Sequence, residues 1–361
     1  MWRPLWLASV AVLVAAPSVG EVVRGPGPAS PRSVRVSTPV FSGDPAGRAV
    51  ATAISLQIWQ TLRLAPGQQS PLQGEVSWEP ALAEPSFETA EAVGLERGAQ
   101  VVVWGEAAAL GDGVLVTAHA VLPRIEGARS FQGFGIALGV ADAPAMLRLD
   151  IPRRRYDFAP ITFSRAALAR FTEIGGFPVY SSPTGGRVVG RLGAQSFRAL
   201  GHAGSATQVV FDGKLGWIRL PELAQLDNEI ALFVGGVVRV LRGDWEGAEE
   251  LLGEVIARQR TPSEVAIDAR LYRAIARFQR RAPGWKDDAE SAVAMNPFLR
   301  SSAATLLALQ AAHAQDLLPT AEGGRQARAV LSGTAERYRG LFAEDDPWLR
   351  TVEAFARVPP D

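Results

Sequence analysis

The chain has 361 residues, equal numbers of basic and acidic side chains, 47% hydrophobic residues and no cysteine. That length implies two or three domains at roughly 100–200 residues each, and the apolar content excludes wholesale disorder. Zero net charge gives no general attraction to nucleic acid, and the lack of Cys excludes disulfides, thiolate nucleophiles and thiolate-bound metal.

Residues 1–20, MWRPLWLASVAVLVAAPSVG, place Arg3 ahead of an apolar run from Leu5 to Ala16 and end on small residues, Ser18 and Gly20, before Glu21. This is the layout of a secretory signal peptide. The run is shorter than the ~20 residues that span a bilayer as a helix. The expectation is cleavage near Gly20 and a soluble, secreted or periplasmic protein that meets a membrane only indirectly. Residues 21–32, EVVRGPGPASPR, read as a flexible Gly/Pro linker.

Residues 33–173 read as an α/β domain. Val34, Val36 and Val40 alternate as a half-buried strand requires. Asp44-Pro45 supplies a helix start, followed by an apolar stripe at Val50, Ile54, Ile58 and Leu62. A second helix is expected near Phe87–Arg97. QVVVWGEA and VLVTAHAVL then flank Gly111-Asp112-Gly113, the pattern of a hairpin. Beyond Ser130, MLRLDIP reads as a strand and SRAALARF as a short helix. The run Arg153-Arg154-Arg155 reads as an exposed turn or as a contact for an anionic ligand.

Two stretches of this domain, VRVSTPVFSGDPAGRAVATAISLQIWQTL and GAQVVVWGEAAALGDGVLVTAHAVL, resemble the small α/β domain of TolB amino-terminal and FlgO-type envelope proteins. The resemblance implies a protein-interaction or assembly module in the cell envelope.

Residues 174–222 break into short β runs around VYS, VVGRL, FRAL, QVVF and GWIRL, with turns between them, and predict a small barrel. The early Val-Tyr-Ser-Ser-Pro strand, the Val-Val-Gly pair and the late Gly216-Trp217-Ile218 strand resemble a bacterial SH3-like domain. That resemblance implies a shallow aromatic groove for peptides or cell-wall fragments, with Tyr180, Pro183 and Trp217 as ligand-binding positions. Trp217 is equally suited to the barrel core.

Residues 226–361 carry helical periods only. Two amphipathic units turn at Gly243-Asp244-Trp245 and at Pro283-Gly284-Trp285, and the second closes on Asn296-Pro297. They resemble tetratricopeptide-type hairpins, with Gly236 and Ala248 where that repeat takes small residues. Trp245 and Trp285 stand 40 residues apart, whereas the repeat period is 34, and most aromatic positions of the motif are missing. A plain antiparallel helix pair remains the alternative. The segments after Leu299 and Ala321 supply a third pair.

Three histidines are scattered, at 119, 202 and 313. LVTAHAVL is one Ala short of the Thr-Ala-Ala-His stretch of trypsin-like proteases, and no Gly-Asp-Ser-Gly accompanies it, so His119 reads as an ordinary strand histidine. Glu249-Glu250 and Asp287-Asp288 suit solvated helix faces and helix starts. No metal or cofactor site is expected. Taken together, the fold expected is multi-domain α+β: a small α/β domain, a small SH3-like β-barrel and an α-helical repeat-like domain. The function expected is non-catalytic binding or scaffolding, with an envelope protein or a peptidoglycan fragment as partner and no nucleic acid. The alternatives are a cell-wall-active hydrolase targeted by the SH3-like domain and a sensor or regulatory subunit of a membrane enzyme.

Overall fold

The structure is a computed structural model that describes residues 34–61, 74–79, 81–123, 134–138, 145–149, 154–169, 177–192, 197–203, 206–219, 229–317, 320–346, 349–350 and 352–353. The expected signal peptide and linker lie outside the described residues. The chain is mixed α/β, and its sheets are open.

The first part runs β1 (Val34–Pro39), β2 (Ser42–Gly43), α1 (Gly47–Thr61), β3 (Gly74–Glu79), α2 (Phe87–Arg97), β4 (Val101–Leu110) and β5 (Gly113–Val121). β1 lies between β3 and β4 and is parallel to both, while β5 returns antiparallel to β4. Helix starts are set locally. The Asp44 carboxylate accepts from the Ala46 N–H ahead of α1, and the Ser86 hydroxyl accepts from Thr89 N–H at α2. Gly98, in the left-handed region, ends α2. Side chains alternate across β4. Val101 and Val103 join the core beneath α1, whereas Val102 and Trp104 pack with Ala90 of α2 on the opposite face.

Residues 134–169 hold β6 (Phe134–Leu138), β7 (Ala145–Leu149), β8 (Arg155–Asp157), β9 (Ile161–Ser164) and the single turn of α3 (Arg165–Ala169). The expected strand and helix are thus β7 and α3. β6 and β7 pair only with each other among the described residues, while β8 and β9 both pair with β5.

The five expected short strands are present as β10 (Phe177–Ser182), β11 (Gly185–Leu192), β12 (Phe197–Ala203), β13 (Ala206–Phe211) and β14 (Lys214–Arg219). They do not form a sheet of their own. β12 pairs with β3, through Phe197↔Val76 and Arg198↔Glu75, which joins them to the first part. One 12-stranded sheet therefore runs β11-β10-β14-β13-β12-β3-β1-β4-β5-β8, with β2 and β9 off this path. No β11–β12 ladder closes the five strands among the described residues.

Three helix pairs follow: α4 (Glu229–Arg242) with α5 (Trp245–Ala257), α6 (Ser263–Gln279) with α7 (Trp285–Met295), and α8 (Arg300–Leu317) with α9 (Ala321–Tyr338). The first helix of each pair is buried on nearly all sides, because both its own array and the rest of the chain cover it. α4 packs on α1, α6 lies beside β8, and α8 lies against β6 and β7. The Tyr156 hydroxyl of β8 meets the Tyr272 hydroxyl of α6 at 3.2 Å inside this contact. Across the array, Arg277 bonds Glu249 of α5 and Asp288 of α7, and Arg273 grips Asp288 with two nitrogens. No helix among the described residues is long and apolar enough to cross a membrane.

Two adjacent glycines let α4 touch two neighbours. A Cβ on Gly236 would stand 2.7 Å from Leu252 Cγ of α5, and one on Gly235 would stand 2.1 Å from Thr61 Oγ1 of α1. Close by, Arg239 donates twice to the Thr61 carbonyl, from Nε at 3.1 Å and Nη2 at 2.6 Å, and also to Asp244. A helix ends with unpaired carbonyls and partial negative charge, so a buried guanidinium there satisfies both needs. Gly235→Ala is expected to destabilise the protein by ~1–3 kcal/mol through overpacking. Gly333→Ala, on an exposed stretch of α9 with no neighbour within 4 Å, is expected to stabilise it by ~0.5–1 kcal/mol. Urea denaturation of the two variants checks the opposite signs, and equal shifts would contradict the packing account.

Candidate functional site

The antiparallel ladder puts Tyr180 of β10 opposite Val188 of β11 on one side and Trp217 of β14 on the other. Residues directly opposite share a face. The alternate residues Val179 and Ile218, with Leu192, Val209 and Phe211, are at most 2% exposed and form the inner layer. Tyr180 and Trp217 are half-buried, and Val188 is 51% exposed, so their row faces outward. Ile218 holds the place in the core that Trp217 was equally suited to fill. A bulge between Val179 and Tyr180 turns Val189 inward, toward Gly216, and leaves Val188 outside.

Arg219, two residues beyond Trp217 and so on the same face, lays its guanidinium 5.7 Å from the centre of the Tyr180 ring. Pro183 sits half-buried in the turn from β10 to β11, which the Ser182 hydroxyl closes by donating to the Gly185 carbonyl at 2.9 Å. Of the three expected ligand-binding residues, the structure brings Tyr180 and Trp217 together and leaves Pro183 at the turn. Arg219 and Val188 complete the row.

A second cluster arises on the α2 side of β4 and β5. Trp104, His119 and Asp157 are register partners across β4, β5 and β8. The His119 ring stacks on Trp104 at 4.3 Å, Phe87 of α2 meets both rings edge-on, and His119 Nδ1 lies 2.5 Å from Asp157 Oδ1. A carboxylate can only accept, so Nδ1 donates, and in a neutral ring that tautomer leaves Nε2 as the acceptor. An imidazole oriented this way is able to take a proton from a water or hydroxyl.

Arg155, of the Arg153–Arg155 run, is on strand β8 rather than in a solvated turn. It bonds Glu88 at 2.8 Å, approaches Glu91 at 3.6 Å and covers the Phe87 ring. Arg155 thus fastens α2 to the sheet, and Arg153 lies outside the described residues. Arg154 Nη1 donates to the Leu122 carbonyl. His202 lies on β12, and His313 is exposed on α8 with its ring 5.6 Å from Trp285. No group of three or more metal-ligating side chains occurs among the described residues.

No protein-family model, curated protein or solved structure matches the chain.

The backbone N–H of Glu88 and then the Arg155 guanidinium hold the Glu88 carboxyl below the usual carboxylate range. Its contribution to α2 docking is therefore complete above that range and is lost as the pH falls through the folded-state value. Hydrogen exchange over residues 87–91, corrected for intrinsic rates, is expected to quicken on acidification. Glu88→Gln should abolish the Glu88 part of that response, and an unchanged response would contradict the anchor.

Proposed function

We propose that the protein is a non-catalytic, exported binding protein of the bacterial cell envelope that holds its ligand on the outward face of β10 and β14. One observation carries this reading: Tyr180 and Trp217 stand side by side across the ladder, half-buried, with Arg219 over the Tyr180 ring. Two neighbouring aromatic surfaces, one of them with a cation over its ring, suit a ligand that has apolar and polar parts, such as a peptide or a peptidoglycan fragment.

The strand order supports an SH3-like reading of this segment. Its first strand, β10, lies between its second and fifth, β11 and β14, and beyond β14 come its fourth, β13, and then its third, β12. Three successive helix pairs support a tetratricopeptide-like reading of the remainder. In this chain the first helices of those pairs face the chain's own α1, β8, β6 and β7. Their role is to carry the sheet, and ligand binding falls to the β face.

The test is binding of the full chain to isolated peptidoglycan and to detergent-solubilised envelope proteins. Replacing both Tyr180 and Trp217 by Ala should weaken capture about tenfold or more, as loss of ~1.4 kcal/mol or more at a binding hot spot does. Capture that survives both substitutions would refute the assignment.

A second reading, the cell-wall hydrolase, has one observation in its favour: the His119–Asp157 pair. It requires peptidoglycan cleavage by the purified protein that disappears in His119→Gln. The binding reading expects no such cleavage.

A further inference from the structure

We infer that β11 is a docking edge for an extended, acidic segment of a partner protein, added as a further strand to the sheet. The inference rests on the outward-face reading above and specifies the partner. β11 is the end strand of the 12-stranded sheet and pairs only with β10 among the described residues, so its outer backbone groups face no ladder. It is eight residues long, and Gly186, Arg187, Val188 and Arg191 are exposed. Native edges are guarded by charges, bulges or a covering element. β11 has the bulge at Val189 and exposed arginines, which deter pairing with like-charged strands, and no covering ladder among the described residues. An added strand would extend the outward row Trp217–Tyr180–Val188 by one side chain, placing it beside Val188.

Charge identifies the partner. The chain as a whole has 37 basic and 37 acidic residues. Between Phe177 and Arg219 it holds Arg187, Arg191, Arg198, Lys214 and Arg219 against Asp212 as the only acid. Arg187 and Arg219 are exposed and have no carboxylate partner among the described residues. Arg187 lies on the edge strand itself, and Arg219 lies beside Gly185 at its start. Backbone bonding supplies affinity without side-chain selectivity, so these cations set the preference for Glu and Asp along the added strand.

The experiment titrates the full chain with a fluorescent ten-residue peptide of alternating Val and Glu. Its comparators are the same peptide N-methylated at alternate residues, a Val/Lys peptide, and soluble peptidoglycan fragments. The expected result is binding of the Val/Glu peptide that weakens with salt, with new hydrogen-exchange protection confined to residues 185–192. N-methylation should abolish it, and R187E combined with R219E should weaken it at least tenfold and admit the Val/Lys peptide. Equal binding of the N-methylated peptide, equal binding of the Val/Lys peptide, or no binding of the Val/Glu peptide would each overturn the inference. If peptidoglycan fragments alone bind, and do so through Tyr180 and Trp217, the outward-face reading stands and the edge inference falls. If no probe and no envelope protein binds, both fall.

Discussion

The contact between α1 and α4 holds the two halves of the molecule together. A helix on a sheet ordinarily buries one stripe and shows the other side to water. α1 is buried from Ala49 to Trp59 without interruption, because the sheet covers one side and α4 the other. Such a sandwich requires close approach at the end of α1, and Gly235 gives Thr61 that room. It also requires a partner for the last carbonyl, which Arg239 supplies while Asp244 balances its charge. Arg239 is itself only 8% exposed, so replacing Asp244 by Asn would remove the carboxylate that balances a buried cation.

From this contact the rest follows. With α4 fixed on α1, α6 comes beside β8 and α8 beneath β6 and β7, so one core runs from Val36 to Val352. The same core takes in Val179, Val209 and Ile218, through the sheet that β3 and β12 make continuous. The first helix of each of the three pairs is covered by the same chain. At the far end of the sheet the outward aromatic row adjoins β11, which among the described residues pairs only with β10.

Elements with strong local periods were legible in the sequence. The first strand, α1, the β4–β5 hairpin, the five strands between Phe177 and Arg219 and the turns before Trp245 and Trp285 all fall where the patterns placed them. The stripe Val50, Ile54, Ile58 understated the burial of α1, since its second cover comes from α4, some 170 residues onward. β3 went unread because GEVSWE offers just two apolar alternations, and its partners, β1 and β12, lie far off in sequence. The joining of the expected barrel strands to the first sheet depends on that strand and was equally hidden. Tyr180 and Trp217 were legible as aromatics on strands, but their common outward face needed the register. His119 and Asp157 are 38 residues apart, and only the β5–β8 pairing, which no local pattern encodes, brings them together.

On this packing the β-sheet part and the helical array form one cooperative body joined at Thr61, Gly235 and Arg239. Hydrogen exchange of the full chain, followed through a urea titration, tests it most directly. The account predicts that residues 49–61 and 302–312 lose protection in a single transition with a common midpoint. Loss of protection in residues 49–61 at clearly lower urea, with residues 302–312 still protected, would contradict it.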